Sequence, residues 1–311
     1  MTSNALSVTG LTKRYGRRTA VDGLDLEVPT GVVAGFVGPN GAGKTTTMAM
    51  LLGLVRPTAG TGTVLGRPIS RPAAYLPRVG ALIERPAFHP ALTGVENLRV
   101  LAVAGGLDPA PIPRLLATVG LGDRGGDRYR SYSLGMKQRL GIAAALLGDP
   151  DLLVLDEPAN GLDPQGVREM RALIGGLAGT GRTVLVSSHD LSELEQVCDW
   201  LVLIDTGRSL YQGPTGDLLA GGGAAGAGLA VAPQLPDDAP ALAGLLTSRG
   251  HHVERHGDRL VVHAHAPGRP ADLAAAVNRA AFDAGIVLVE LSPLRTTLED
   301  RYLSMLEGAT P

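Results

Sequence analysis

The stretch Gly38-Pro39-Asn40-Gly41-Ala42-Gly43-Lys44-Thr45-Thr46 constrains this chain more than any other. It fits the pattern Gly-x4-Gly-Lys-[Ser/Thr], a loop whose glycines let successive backbone N–H groups converge on one concavity. At the start of a helix such a concavity attracts an anion, because free amides and the helix dipole point the same way. The Lys44 ammonium can then reach the β- and γ-phosphates of a nucleotide, and the Thr45 hydroxyl can ligate Mg2+. The flanks agree. Residues 32–37 read as a buried strand entering the loop, and 46–54 as the helix leaving it. Strand, loop and helix together separate a phosphate cradle from an ordinary Gly-rich turn.

Around this loop the 311-residue chain has room for one large domain or two moderate ones. Hydrophobic residues make up 44% and aromatic ones 3%, so the expected core is aliphatic. A formal net charge of −2 with no basic patch predicts no nucleic-acid partner. Cys198, the single cysteine, cannot form an internal disulfide and suits a reducing compartment, most simply as a small buried apolar side chain. The first residues show no signal-peptide pattern, and no apolar run approaches the ~18 residues of a membrane span. The expectation is a soluble chain whose membrane role, if any, comes through a partner.

Strands are expected at 6–15, 24–28, 79–84, 152–155 and 183–188, with a closing hairpin at 201–204 and 209–211. Helices are expected at 95–104, behind the capping box Thr93-Gly94-Val95-Glu96, and at 112–119, 132–147, 165–177 and 190–196. The alternation predicts an α/β fold with a mainly parallel sheet, an antiparallel subdomain and a helical insertion, over residues 1–220. A Gly/Ala-rich linker is expected at 221–228. Residues 229–311 then read as a small α+β domain. Strands 229–232, 252–255, 260–264 and 287–291 with helices 240–248 and 271–284 make β-α-β-β-α-β, the ferredoxin-like order, before a last helix at 298–306. Five of the seven histidines fall between His251 and His265; they read as solvated surface in preference to a metal site built on His263 and His265.

Three further features carry chemistry. Leu152-Leu153-Val154-Leu155 delivers Asp156 and Glu157 to the carboxyl edge of a sheet, where open α/β sheets bind ligands. Adjacent carboxylates point in different directions, so Asp156 can hold Mg2+ while Glu157 orients or deprotonates a water facing the γ-phosphate. His189 follows the strand ending in Ser187-Ser188 and can hydrogen-bond a γ-phosphate oxygen. Tyr15, upstream of the loop, can stack an adenine ring.

In this order along the chain, the motifs resemble those of ATP-binding-cassette ATPases of the transporter superfamily, over roughly residues 6–220. Tyr15 matches the adenine-stacking aromatic, and 38–46 the Walker A loop. Ser133-Leu134-Gly135-Met136-Lys137-Gln138 matches the signature usually written Ser-Gly-Gly-Gln. Residues 152–157 match Walker B with its catalytic Glu, Gly161-Leu162-Asp163 the D-loop, and His189 the switch histidine. The resemblance implies an ATP- and Mg2+-dependent ATPase working as a head-to-tail dimer, most simply a homodimer. Ser133, Leu134, Gly135 and Met136 of one copy then face the nucleotide held by Lys44 of the other. It also implies a membrane-embedded permease on a separate chain and a place at the cytoplasmic face of the membrane.

Two departures are informative. The signature carries Leu134 and Met136 where Gly and Gln are common, and the family's coupling Gln is Glu84 in Val79-Gly80-Ala81-Leu82-Ile83-Glu84. That carboxylate resembles bacitracin-type and lantibiotic-type exporters, and makes Glu84 a candidate for coupling and for the metal, with Asp163 a second coupling candidate. Leu298-Glu299-Asp300-Arg301-Tyr302-Leu303 resembles the closing segment of drug-exporting cassettes. A soluble ATPase acting on ribosomes or DNA is the alternative. Only 89 positions run from Lys44 to Ser133, too few for the coiled-coil insertion of chromosome-type relatives, and ribosomal relatives usually carry two cassettes.

Overall fold

A computed structural model describes residues 3–84, 86–220, 228–263, 270–293 and 297–308. The chain forms two compact units, Met1–Gly216 and Asp217–Pro311. The first opens with the antiparallel pair β1 (Asn4–Tyr15) and β2 (Arg18–Pro29), then β3 (Val33–Val37) enters the loop before α1 (Lys44–Leu51). Next come β4 (Ala59–Val64), β5 (Arg67–Pro68) and β6 (Val79–Leu82), then the helices α2 (Gly94–Ala104), α3 (Ile112–Thr118) and α4 (Leu134–Ala145). β7 (Leu152–Leu155), α5 (Pro164–Ala178), β8 (Thr183–Ser188), α6 (Leu191–Glu195), β9 (Trp200–Asp205) and β10 (Arg208–Pro214) complete the core, and α7 (Thr215–Ala220) spans the boundary between units.

Six strands form one sheet in the order β10-β9-β3-β8-β7-β6, parallel except for the β9–β10 hairpin. Every residue of β3, β7 and β8 is buried, which is why β3 and β7 carry no polar side chain in place of an alternating pattern, while the three hydroxyls of β8, on Thr183, Ser187 and Ser188, are each hydrogen-bonded. With β8 between β3 and β7, the loop after Val37, the carboxylates after Leu155 and the turn after Ser188 leave the sheet at the same edge. The second sheet, β2-β1-β4-β5, is antiparallel and encloses an aliphatic core with Phe36, Met48, Leu51 and Tyr75. The Tyr75 hydroxyl donates to Leu51 O at 2.8 Å.

β4 is a strand that pattern reading does not reveal. Ala59-Gly60-Thr61-Gly62-Thr63-Val64 has two glycines, which weaken an isolated strand. Against β1 they are required: a Cβ on Gly62 would stand 2.4 Å from Val8 Cγ1 and 2.5 Å from Ser7 O. The strand expected at 79–84 stops at Leu82, because Glu84 adopts a left-handed conformation with φ 59° that no ladder accommodates. The helix after the loop runs Lys44–Leu51, two residues earlier than 46–54 at its start. The capping box forms: Glu96 N donates to Thr93 Oγ1 at 3.1 Å and Thr93 N to Glu96 Oε2 at 2.7 Å.

The second unit comprises β11 (Gly228–Pro233), α8 (Ala239–Ser248), β12 (His252–His256), β13 (Arg259–His263), α9 (Pro270–Asp283), β14 (Leu288–Pro293) and α10 (Leu298–Gly308). Its antiparallel sheet, ordered β12-β13-β11-β14, has the ferredoxin-like arrangement. Leu229, Val231, Leu242, Leu246, Leu260, Val262 and Val277 pack into its core. Gly228, expected in the linker, opens β11; linker residues 221–227 lie outside the described residues. His252 and His256 flank Glu254 on the exposed face at 3.5 and 3.6 Å. Among the described residues no group of three or more His, Cys, Asp or Glu is arranged to hold a metal, and His265 lies outside them.

Candidate nucleotide site

The loop between β3 and α1 is shaped by two glycines that nothing larger can replace. A Cβ on Gly38 would stand 2.3 Å from Ile204 O, so the loop leaves β3 pressed against β9. Gly43, at φ 102°, caps α1, and a Cβ there would stand 2.6 Å from Ala20 O. The loop closes on itself through Ala42 N to Pro39 O at 3.1 Å, and Gly207 N donates to Ala42 O at 3.0 Å. Lys44, buried at the first turn of α1, donates from Nζ to Gly38 O at 2.6 Å and Pro39 O at 3.2 Å. Its charge also lies 3.6 Å from Glu157 Oε1.

The β7 carboxylates separate because the backbone turns left-handed at Glu157, with φ 47°. Asp156, buried, accepts from Thr45 Oγ1 at 2.8 Å and Ser187 Oγ at 2.5 Å. Thr45 and Asp156 thus form the adjacent hydroxyl and carboxylate that a hard cation such as Mg2+ takes. Glu157 points the other way. Its Oε2 accepts from Asn160 Nδ2 at 2.9 Å and lies 3.3 Å from His189 Nδ1. Ser187 ties the pair together, since its hydroxyl accepts from Glu157 N at 2.9 Å while donating to Asp156. Sequence reading missed Ser187 and Asn160 as site residues. The signal for Ser187 was a hydroxyl ending an otherwise apolar buried strand.

His189 sits in a turn held from both sides. Ser188 Oγ accepts from Asp190 N at 2.9 Å and donates to Glu193 Oε2 at 3.2 Å. Burial, with Asp190 close by, pushes the Glu193 carboxyl above its usual range, while the Ser192 hydroxyl holds Asp190 below its own.

The cavity at the loop is lined by Arg18, Ala20, Asn40, Gly41, Gly43, Lys44, Thr45, Thr46 and Glu157. Tyr15 and Glu84 are not in that lining. Tyr15 is half exposed at the β1–β2 turn, paired with Arg18, and Lys13 Nζ lies 4.9 Å from its ring centroid. Glu84 is exposed just beyond β6.

The signature occupies a different place. Ser133 caps α4, accepting from Met136 N at 3.3 Å, and Asp163 caps α5, accepting from Gly166 N at 2.9 Å. A cleft of about 420 Å3 between these two helix starts is lined by Ser133, Leu134, Gly135, Met136, Gly161, Leu162 and Asp163, among others. None of the signature residues lines the cavity at Lys44.

The family described as "ABC transporter" matches residues 21–160. The chain is 45% identical over 206 residues to the bacitracin transport ATP-binding protein BcrA of Enterococcus faecalis, covering 65% of this chain and 67% of that one. It is 41% identical over 207 residues to the lantibiotic transport ATP-binding protein SrtF of Streptococcus pyogenes, covering 67% and 90%. With the Nod factor export ATP-binding protein I of Ralstonia nicotianae it shares 40% over 267 residues, 84% of this chain and 82% of that one. Among solved structures, an ATP-binding subunit of an ABC transporter superposes with TM-score 0.62 at 31% identity, covering 70% of this chain and 92% of that one. The cbiO1 subunit of Clostridium perfringens gives 0.63 at 25%, covering 70% and 91%. A phosphate loop, two diverging carboxylates and a histidine on one sheet edge, with a signature helix start elsewhere, agree with these likenesses: the chain belongs to the ATP-binding-cassette family of transporter ATPases.

Proposed function

We propose that this chain is the ATP-hydrolysing subunit of an exporter, bound to the cytoplasmic face of the membrane through a permease on a separate chain. Among the described residues no helix is long and apolar enough to cross a membrane itself. The relatives named for bacitracin and lantibiotic transport support a peptide antibiotic as cargo. The observation that carries the catalytic reading is the convergence of Lys44, Thr45, Asp156, Glu157 and His189.

In this reading the loop amides and Lys44 neutralise the phosphates of ATP, and Tyr15 stacks its base. Thr45 and Asp156 hold Mg2+, which when bound offsets phosphate charge. Glu157 takes the proton of the attacking water as the bond between the γ-phosphorus and the bridging oxygen breaks. Asn160 and His189 hold its Oε2, and His189 can turn its ring toward a γ-phosphate oxygen. Two copies pair head to tail, so that Ser133 and Gly135 of one meet the γ-phosphate at Lys44 of the other. This supplies the signature that one copy keeps away from its own cavity. Asp163, at the start of α5, lies where the two copies communicate.

Ser133→Arg tests the pairing. It is expected to abolish ATP turnover while a single subunit keeps its fold and its ATP affinity, read by melting and by titration with a fluorescent ATP. Full turnover with the arginine would exclude the head-to-tail site.

Glu84 is read as the coupling residue. As a carboxylate it cannot donate a hydrogen bond when ionised, and Mg2+ attracts it where phosphate repels it. Glu84→Ala is expected to leave ATP binding nearly intact while uncoupling or stopping export, with Glu84→Gln the milder change. The measurements are the ATPase rate of the purified complex and drug resistance in cells; wild-type values of both for Glu84→Ala would remove Glu84 from coupling.

A further inference from the structure

We propose that Arg139 and Glu169 form a clasp that sets the signature turn against the Gly161-Leu162-Asp163 turn, making both positioning residues for ATP hydrolysis. The proposal rests on the reading that Ser133 acts on a nucleotide in a second copy.

Arg139 lies on α4 six residues beyond Ser133, about 9 Å along the helix axis. Its guanidinium reaches in two directions. Nη1 donates to Val119 O, at the end of α3, at 3.0 Å. Nη2 donates to Glu169 Oε2, on α5, at 2.6 Å. The other Glu169 oxygen accepts from Gln165 Nε2 at 3.0 Å, one turn back toward the start of α5. The backbone makes room for this fork: Gly120 has φ 72°, and a Cβ there would stand 2.7 Å from Nη1.

One side chain therefore joins three helices, two from the helical insertion and one from the α/β core. All three residues of the α4–α5 link line the cleft that also holds Ser133 and Asp163. The signature turn and the Gly161-Leu162-Asp163 turn approach closely across that cleft. A Cβ on Gly161 would meet Leu134 at 3.2 Å, and one on Gly135 would meet Leu162 at 3.6 Å. Van der Waals packing of that kind is non-directional, whereas the charge-assisted hydrogen bond from Arg139 to Glu169 fixes direction as well as distance, and the bond to Val119 O holds the guanidinium plane. Tilting α4 away from α5 must break the Glu169 bond, and that tilt displaces the Ser133 hydroxyl from the position it needs across the dimer. Lysine cannot replace the clasp, since it offers one point charge where two directions must be served.

The test uses the purified full chain with Arg139→Lys, Glu169→Ala and the double variant. The readouts are melting temperature, single-subunit affinity for fluorescent ATP, kcat and KM for ATP, and ATP-driven dimerisation in a Glu157→Gln background. We expect unchanged ATP affinity, kcat about tenfold lower in each single variant, and a dimer about tenfold weaker. The double variant is expected to be no worse than the poorer single one, because both remove the same link. Glu169 is half exposed, so Glu169→Ala keeps the test informative if Arg139→Lys folds poorly. Wild-type kcat in Glu169→Ala, or losses that multiply in the double variant, would overturn the clasp. If Ser133→Arg is inactive while Glu169→Ala is fully active, the clasp fails and the head-to-tail site stands. An active Ser133→Arg overturns both.

Discussion

Glu157→Gln is expected to lower ATP turnover by about 10²–10⁴-fold while leaving ATP binding intact. The amide fits where the carboxylate sits, beside Asn160 Nδ2 at 2.9 Å and His189 Nδ1 at 3.3 Å. What it lacks is basicity, so the attacking water keeps its proton. The amide is also neutral, which removes the partner 3.6 Å from Lys44 and frees that ammonium for phosphate. Both effects favour a nucleotide-bound dimer that closes and cannot reopen by hydrolysis. Turnover measured beside the mass of the particle in Mg2+ and ATP checks this. A variant that hydrolyses within a few-fold of the wild-type rate would show that Glu157 is not the base.

Lys44→Ala is expected to weaken ATP binding by about a hundredfold or more, since each hydrogen bond to a charged group contributes about 1.5–3 kcal/mol. The lysine is buried against the loop, so its ammonium faces phosphate with little screening by water. Two loop carbonyls, Gly38 O and Pro39 O, also lose their donor, and the loop loses definition with them. The fold should survive, because the buried strands of the core are untouched and alanine is a good helix former at the start of α1. A fluorescent-ATP titration and a melting curve separate the two effects. Unchanged affinity would refute the role given to Lys44.

The residues of the candidate site could be picked out along the chain because the patterns that mark them are local. Glycines, a lysine and a threonine within nine residues declare a phosphate cradle, and four apolar residues before Asp156 declare a buried strand that presents it. The same holds for the capping box at Thr93 and for the alternation of strands and helices in the second unit, whose elements were found within a residue or two. Where local preference and packing disagreed, packing won. β4 exists because β1 comes so close that only glycine fits at position 62, a fact held in Val8 and not in the segment's own propensity. Glu84 leaves its strand because its backbone turns left-handed, and Tyr15 shares its turn with Arg18, which lines the cavity that Tyr15 does not.

Pairings between distant residues belong to the tertiary structure alone. Nothing near Ser187 indicates that its hydroxyl joins Asp156 to Glu157, and nothing near Arg139 indicates Glu169. Residues 37, 156 and 188 come to one edge only when the parallel ladders place β8 between β3 and β7. The amino-acid order determined which groups each turn can present, since that follows from backbone freedom and side-chain chemistry over a few residues. Strand order and helix packing decided which of those groups meet, because a hydrogen bond depends on distances that no local pattern contains.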